Sequence, residues 1–221
     1  MILRTLFTLL KRRLAPGLEP RPYDLGRVQI NDLLPRQGPL QLDLSPWHQD
    51  TLAGDALDAA VFAMLISSRS DLARAFELGT GFGRSTSLIA LHAPASEVFT
   101  FSLPNNPETG RIFHHQPWAG RITQLEGDSL DFDFSPWFGT ADLVFVDGCH
   151  ELPHVELDTL NALRLVKPGG MVLWHDVEAD CPDVIRTTQR HAPGARWIAH
   201  TRYAVDLAPS PSSAAGLAPG S

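Results

Sequence analysis

The chain has 221 residues, 43% of them hydrophobic, and a formal net charge of −7 at pH 7. This length suits one α/β domain rather than two large ones, and the acidic balance argues against a nucleic-acid partner, which needs clustered Lys and Arg. Cys149 and Cys181 are too few for a disulfide framework. We therefore expect free thiols in a cytoplasmic protein.

The first 14 residues contain an apolar run. One arginine interrupts this run, and three basic residues follow it. This order is wrong for a signal peptide, and no stretch reaches the ~20 apolar residues that span a bilayer. Leu3, Phe7, Leu10 and Leu14 share a face at helical spacing, which predicts a short amphipathic helix. We expect residues 1–14 to contact the domain, a partner subunit such as the second copy of a homodimer, or the surface of a membrane.

Composition divides the chain into three predicted parts. Residues 1–50 are expected to form the amphipathic helix and a cap segment, because residues 15–50 contain many prolines and little periodicity. Residues 51–208 form the main predicted domain, which opens with an amphipathic helix over residues 51–67. Residues 209–221 are small, Pro-rich and polar, which is typical of a disordered tail.

Short apolar runs alternate with helical patterns from about residue 70 onward. The predicted strands cover residues 74–78, 97–102, 121–127, 141–148 and 171–176. The predicted helices cover residues 83–93, 152–166 and 181–191, and residues 196–200 and 203–208 form a closing hairpin. This alternation predicts an α/β fold with a Rossmann-like, doubly wound, mostly parallel sheet of about seven strands and a terminal antiparallel hairpin. A ligand is then expected outside the carboxyl ends of the strands.

A glycine-rich turn follows the first strand of this series, with the sequence ELGTGFG over residues 77–83. Glycine lets the backbone turn tightly and approach a ligand closely, and the helix that follows offers its N-terminal N–H groups. The pattern is G-x-G-x-G rather than the G-x-G-x-x-G of dinucleotide sites. An acidic residue, Glu77, stands two positions before the first glycine and favours a cationic ligand. The alternative is a turn needed only for packing.

Four motifs succeed one another along the chain: ELGTGFGRST, LEGDS at residues 125–129, FVDGCH and LVKPGGMVLWHD. Their order and spacing resemble the class I S-adenosylmethionine-dependent methyltransferases, and most closely a small O-methyltransferase-like group with the signature VDG-x-H, a helix, PGG and HD. The resemblance covers about residues 70–207. It implies methyl transfer from S-adenosylmethionine to a hydroxyl of a small molecule or sugar. The alternative is a relative that keeps this fold as a non-catalytic binding or assembly module.

The resemblance also implies how the cofactor is held. The residues that match the loop around its amino acid part are Glu77, Gly79, Gly81 and Gly83, with the carboxylate at the ammonium end. Asp128 and Ser129 match the pair that contacts the adenine.

Ser102 departs from the family pattern, because the end of the second strand normally offers a carboxylate to both ribose hydroxyls. A hydrogen bond to a charged group contributes ~1.5–3 kcal/mol and a neutral one ~0.5–1.5 kcal/mol. Serine is therefore expected to weaken cofactor binding by ~1–2 kcal/mol, roughly 5–30-fold, without abolishing it. Asn105, Asn106 and Glu108 are the alternative partners for the ribose.

A second cluster follows the fourth and fifth strands of the series. The methyltransferases that this sequence resembles include metal-dependent members. These place an Asp after the fourth strand and an Asp-Asp or Asp-Asn pair after the fifth, where Mg²⁺ holds the acceptor oxygen. Asp147 and Asp176 match, whereas His175 replaces a carboxylate. Because imidazole suits Mg²⁺ poorly, Mn²⁺, Fe²⁺ or Zn²⁺ would suit these three ligands better. The alternative is that His175 and Asp176 only anchor their loop.

His150 lies three residues after Asp147, where the metal-dependent relatives carry the group that removes the acceptor's proton. Methyl transfer requires an aligned acceptor oxygen and loss of its proton, and a histidine with a near-neutral pKa can take that proton. The resemblance thus implies catalytic roles for Asp147 and His150. His154 and Asp158 follow at four-residue steps on the same helical face and are expected to cap or orient.

Overall fold

The structure is a computed structural model that describes residues 25–34, 41–48 and 56–207. The predicted amphipathic helix over residues 1–14 and the predicted tail over 209–221 lie outside these residues. Within the described ranges, no helix has both the length and the apolar character needed to cross a membrane.

Eight strands and six helices occur in the described residues. The strands are β1 (Arg27–Val28), β2 (Arg74–Leu78), β3 (Glu97–Ser102), β4 (Ile122–Glu126), β5 (Ala141–Val146), β6 (Val166–Trp174), β7 (Arg196–Ile198) and β8 (Ala204–Asp206). The helices are α1 (Ile30–Leu33), α2 (Ser45–His48), α3 (Ala56–Ser67), α4 (Arg84–His92), α5 (His154–Leu165) and α6 (Pro182–His191).

All eight strands form one sheet in the order β1-β7-β8-β6-β5-β2-β3-β4. Strands β2 to β6 pair in parallel, while β8 pairs antiparallel with both β6 and β7. This confirms the predicted doubly wound sheet and its terminal hairpin. The sequence missed only the two-residue strand β1, which pairs in parallel with β7 from within the predicted cap segment.

Helices cover both faces of the sheet, so its central strands are buried on both sides, as parallel strands require. Side chains of α3 and α4, such as Phe62 and Leu88, pack on one face with Phe145. Side chains of α5 and α6, including Leu165 and Ile185, pack on the other face. The chain winds from β2 toward β3 in one direction and toward β5 in the other. The switch point of the sheet therefore lies at the carboxyl end of β2.

Strand β6 begins five residues earlier than expected, because the KPGG segment continues along β5 instead of separating helix from strand. The pairing register shifts between Ala141 and Leu143 of β5, which face Val166 and Met171. Gly169 adopts a φ of +79° inside this irregularity. The Pro and Gly residues therefore disturb the strand without ending it.

Candidate active site

A cavity of about 320 Å³ lies at the switch point, above the carboxyl ends of β2 to β5. Each of these strands contributes a polar residue to its wall: Thr80, Ser102, Ser129 and Asp147. The size falls within the ~300–1,000 Å³ range of small-molecule sites. The predicted ligand position and the observed cavity therefore coincide.

The three predicted loop glycines serve different purposes. Gly79 and Gly81 line the cavity, whereas Gly83 lies outside its wall. A Cβ on Gly79 would come within 2.1 Å of the Asp147 carbonyl oxygen, and one on Gly83 within 2.5 Å of the Phe113 ring. No atom lies within 4 Å of the corresponding position on Gly81. Gly79 thus lets the ends of β2 and β5 meet, Gly83 starts α4, and Gly81 leaves open space.

Glu77 is fully buried and is not part of the cavity wall. Its carboxylate accepts hydrogen bonds from the hydroxyls of Ser85, Thr86 and Thr100. Burial raises its pKa to about 7, although these hydroxyls oppose the shift. The Thr100 hydroxyl also lies 2.7 Å from that of Thr80, which lines the cavity. Glu77 is therefore connected to the cavity wall by hydrogen bonds through Thr100 and Thr80. The sequence patterns did not single out these two threonines.

Ser102 lines the cavity at the end of β3, and none of the residues that the structure describes provides a hydrogen-bond partner for its buried hydroxyl. Among the alternative ribose partners, Asn106 shares this wall, and its Oδ1 accepts the Glu108 N–H at 3.1 Å. Asn105 and Glu108 do not line the cavity, and Glu108 pairs with Arg111 at 3.2 Å. An unsatisfied hydroxyl at the expected ribose position is a group that a bound ligand can satisfy.

Another part of the cavity wall contains one residue that follows β4 and two residues of α5. Ser129 lines the wall, whereas Asp128 lies outside it, with Oδ1 3.3 Å from Nε2 of His154. His154 and Asp158 both line the cavity. Burial raises the pKa of Asp158 to about 6, while a hydrogen bond from Ser129 lowers it. The two helical residues thus belong to the wall and are not caps alone.

The three predicted metal ligands come together beside the cavity. Nδ1 of His175 lies 3.1 Å from Oδ1 of Asp147 and 3.3 Å from Oδ1 of Asp176. The three candidate ligand atoms lie within 4.8 Å of one another. Asp147 also lines the cavity, so this residue connects the cavity to the polar cluster of Asp147, His175 and Asp176.

Two further residues complete this cluster, and no sequence motif pointed to them. Arg202 donates from Nε to Oδ2 of Asp58 at 2.7 Å and from Nη1 to Oδ1 of Asp176 at 3.2 Å. Asp58 on α3 is only 1% exposed. Burial alone would raise its pKa, but the His175 imidazole, with Nε2 3.5 Å from Oδ2, and hydrogen bonds from Arg202 bring it below the usual value. A buried Asp in an otherwise apolar helix is the one signal that could have been noticed.

His150 lies against Asp176 and is not part of the cavity wall. The hydrogen bond to Asp176 is the main cause that raises the pKa of His150 to about 10, with Cys181 adding to it. The imidazole is therefore protonated at neutral pH in this arrangement and cannot accept a proton. The geometry does not favour the predicted role of His150 as base, because its partner carboxylate stabilises the charged form.

Comparison with known proteins agrees with this geometry. Residues 76–177 match the model of a family described as a methyltransferase domain. A Mycobacterium tuberculosis protein named as a probable O-methyltransferase is 29% identical over 154 residues, which cover 65% of this chain and 64% of that protein. The match therefore spans just under two thirds of that relative.

Two solved structures share the fold. Cofactor-bound Rv0187 from Mycobacterium tuberculosis is 23% identical, with a TM-score of 0.50 over 78% of this chain and 99% of that chain. A structure from Klebsiella pneumoniae, described as an O-methyltransferase, is 16% identical, with a TM-score of 0.54 over 93% of this chain and 97% of that chain. Residues 76–177 are therefore similar to a methyltransferase domain, and the chain shares the fold of these two solved structures.

Proposed function

We propose that the chain transfers a methyl group from S-adenosylmethionine to a hydroxyl of a small molecule or sugar. The observation that carries this proposal is the position of Asp147, a residue that lines the cavity and whose carboxylate also contacts His175. A hydroxyl acceptor needs a group of this kind close to the methyl donor. The O-methyltransferase name of the mycobacterial relative supports the same acceptor atom.

The cavity fits the cofactor in size and chemistry. The open space at Gly81 admits a ligand close to the backbone, and the partnerless hydroxyl of Ser102 can turn toward a ribose hydroxyl. Ser129 offers a hydroxyl at the end where the resemblance expects the adenine. When bound, S-adenosylmethionine supplies a methyl group activated by its sulfonium. The chain's own contribution is to hold the two reactants in line.

Asp147 is the proposed acceptor-side residue. Its Oδ1 is held by His175 Nδ1 at 3.1 Å, and its side chain is 28% exposed. It can therefore orient an acceptor hydroxyl and take its proton, while His175 fixes the carboxylate. His150, which is protonated at neutral pH, is assigned to holding Asp176 in place.

The test is a methyl-transfer assay with labelled S-adenosylmethionine and a panel of phenolic, aliphatic and sugar hydroxyls. Asp147→Asn keeps the shape of the wall and removes the proton acceptor. We expect it to lower turnover ~10²–10⁴-fold, the range for general acid–base catalysis, with cofactor affinity retained. Equal turnover by the variant and the wild type would contradict the role of Asp147.

A second candidate is a non-catalytic binding or assembly module. The serine at the ribose position and the tie between His150 and Asp176 favour it. This candidate predicts saturable cofactor binding together with no methyl transfer to any acceptor in the panel. Turnover that disappears in Asp147→Asn would exclude it.

A further inference from the structure

Arg202 places a permanent positive charge inside the polar cluster. The metal-dependent methyltransferases that this sequence resembles bind a metal at the corresponding position. The guanidinium of Arg202 lies between two carboxylates, with Nε 2.7 Å from Oδ2 of Asp58 and Nη1 3.2 Å from Oδ1 of Asp176. The Arg202 N–H of the backbone also donates to Oδ1 of Asp58 at 3.2 Å. Because arginine stays protonated in proteins, this charge is present at any working pH.

Both carboxylate oxygens of Asp176 are already engaged. Oδ1 lies 3.2 Å from Arg202 Nη1 and 3.3 Å from His175 Nδ1. Oδ2 lies 2.9 Å from Nε2 of His150. Oδ1 of Asp147 is in turn 3.1 Å from His175 Nδ1. A metal ion would therefore compete with existing charged partners for both oxygens of Asp176 and one oxygen of Asp147.

The donor set therefore fits a divalent cation poorly. Mg²⁺ prefers an all-oxygen set of ligands, whereas the three candidate residues offer two carboxylates and an imidazole. A divalent ion on Asp176 would also sit within a few ångströms of the guanidinium, where like charges repel strongly in a partly buried site. The same guanidinium is the ion-pair partner of Asp58, which is 1% exposed, so its displacement by a metal ion would leave this buried carboxylate less well compensated.

We infer that Arg202 takes the place of a divalent cation at the cluster of Asp147, His175 and Asp176. The guanidinium fixes Asp58 and Asp176 and thereby positions His175, whose Nδ1 lies 3.1 Å from Oδ1 of Asp147. The site is then built to work without a metal. The claim about acceptor chemistry rests on the proposed function, whereas the claim about the cation is tested by metal binding alone.

The test is titration of the full chain with Mn²⁺, followed by the loss of the free-ion signal in electron paramagnetic resonance and by calorimetry. Wild type is expected to show no saturable site below ~1 mM. Arg202→Met removes the charge, so we expect a single Mn²⁺ site with affinity at least tenfold higher than in wild type. Arg202→Lys, which keeps the charge, is expected to behave as wild type.

Two variants show that a gained site is the predicted one. Asp176→Asn in the Arg202→Met background removes a ligand and should abolish the new site. Arg74→Met is the matched control, because Arg74 pairs with Glu97 at 2.7 Å at the amino end of the sheet, and it should gain no site. A merely structural role of Arg202 would change stability without creating metal affinity.

Arg202→Met leaves Asp58 buried without its cation and can fail to fold. Asp58→Asn/Arg202→Met removes both members of that pair and keeps the three candidate ligands, so it serves as the second variant. The inference is overturned if wild type binds one Mn²⁺ at micromolar concentration and loses it in Asp176→Asn. It is also overturned if the folded variants lacking Arg202 gain no Mn²⁺ affinity.

Discussion

The Nε2 atom of His150 lies 2.9 Å from Oδ2 of Asp176. This contact ties the end of β5 to the end of β6 and raises the pKa of His150 to about 10. The stability that this pair contributes is therefore present in full below the ordinary histidine pKa near 6.5 and is lost as pH rises through about 10. At neutral pH the residue is a cation that positions a carboxylate.

His150→Gln is the substitution that separates positioning from proton removal. We expect cofactor affinity to stay within about twofold of wild type, because His150 lies outside the cavity wall. Turnover should fall less than tenfold, well short of the ~10²–10⁴ that loss of a general base costs. Steady-state kinetics and calorimetry check both values. A hundredfold loss of kcat at unchanged affinity would restore His150 as the base.

Ser102→Asp restores the carboxylate that the family normally places at the ribose. Because a charged hydrogen bond contributes ~1–2 kcal/mol more than a neutral one, S-adenosylhomocysteine should bind ~10-fold more tightly. Calorimetry measures the change. Glu108→Gln is the control, since Glu108 is outside the wall and pairs with Arg111, and its affinity should equal wild type. Unchanged affinity in Ser102→Asp would refute the ribose position.

Gly79→Ala and Gly81→Ala form a matched pair within one loop. The new Cβ at position 79 would meet the Asp147 carbonyl oxygen at 2.1 Å, with φ at +113°. We therefore expect a loss of about 3 kcal/mol or more in the free energy of unfolding. At position 81 the Cβ meets no atom of the described residues, but the φ of +49° is left-handed. The free energy of unfolding should therefore fall by about 1–2 kcal/mol.

The effect on cofactor binding is a second test of the substitutions at Gly79 and Gly81. Gly81→Ala should fold and yet bind S-adenosylhomocysteine more weakly, because its methyl group enters the cavity. Urea unfolding and calorimetry give the two quantities. Equal destabilisation by both substitutions would contradict the different surroundings of the two glycines.

Glu77 makes the stability of the folded chain depend on pH. Burial raises its pKa from 4.5 to about 7, so the folded chain keeps a proton that the unfolded chain loses in this window. Its contribution to stability is present in full below pH 4.5 and is lost as pH rises through 7, by at most about 3 kcal/mol. Glu77→Gln lacks this titration.

The stability of wild type relative to Glu77→Gln should therefore fall between pH 4.5 and 8. Urea unfolding of both proteins across this range measures the difference. Asp158, whose pKa is raised to about 6, titrates in both proteins. Its contribution to stability therefore cancels in the difference between them. A difference that stays constant with pH would show that folding does not raise the pKa of Glu77.

The fold could be read from the sequence because its signals are local. The bounds of β2 and β3 match the predicted residues 74–78 and 97–102, since buried parallel strands are short apolar runs between glycine turns and helices. The position of Ser102 and Asp147 at strand ends followed directly. The KPGG segment was misplaced, because proline and glycine signal a break whether or not a neighbouring strand continues to pair.

The polar cluster could not be predicted in the same way. Asp58 and Arg202 are 144 residues apart in the sequence. They meet only because α3 packs beside the loop that precedes β8. Their side chains surround His175 and Asp176, and a sequence motif can locate these two residues but cannot predict their partners. The indirect link from Glu77 through Thr100 to Thr80 was hidden for the same reason.

Titration of the wild-type chain with S-adenosylhomocysteine by calorimetry tests the central claim most directly. The intact glycine loop and the weakened ribose contact predict one site with a dissociation constant of ~10–100 µM. Ser102→Ala should lower this affinity only slightly and Ser102→Asp should raise it. No heat of binding at ~1 mM ligand would contradict the assignment of the cavity to this cofactor.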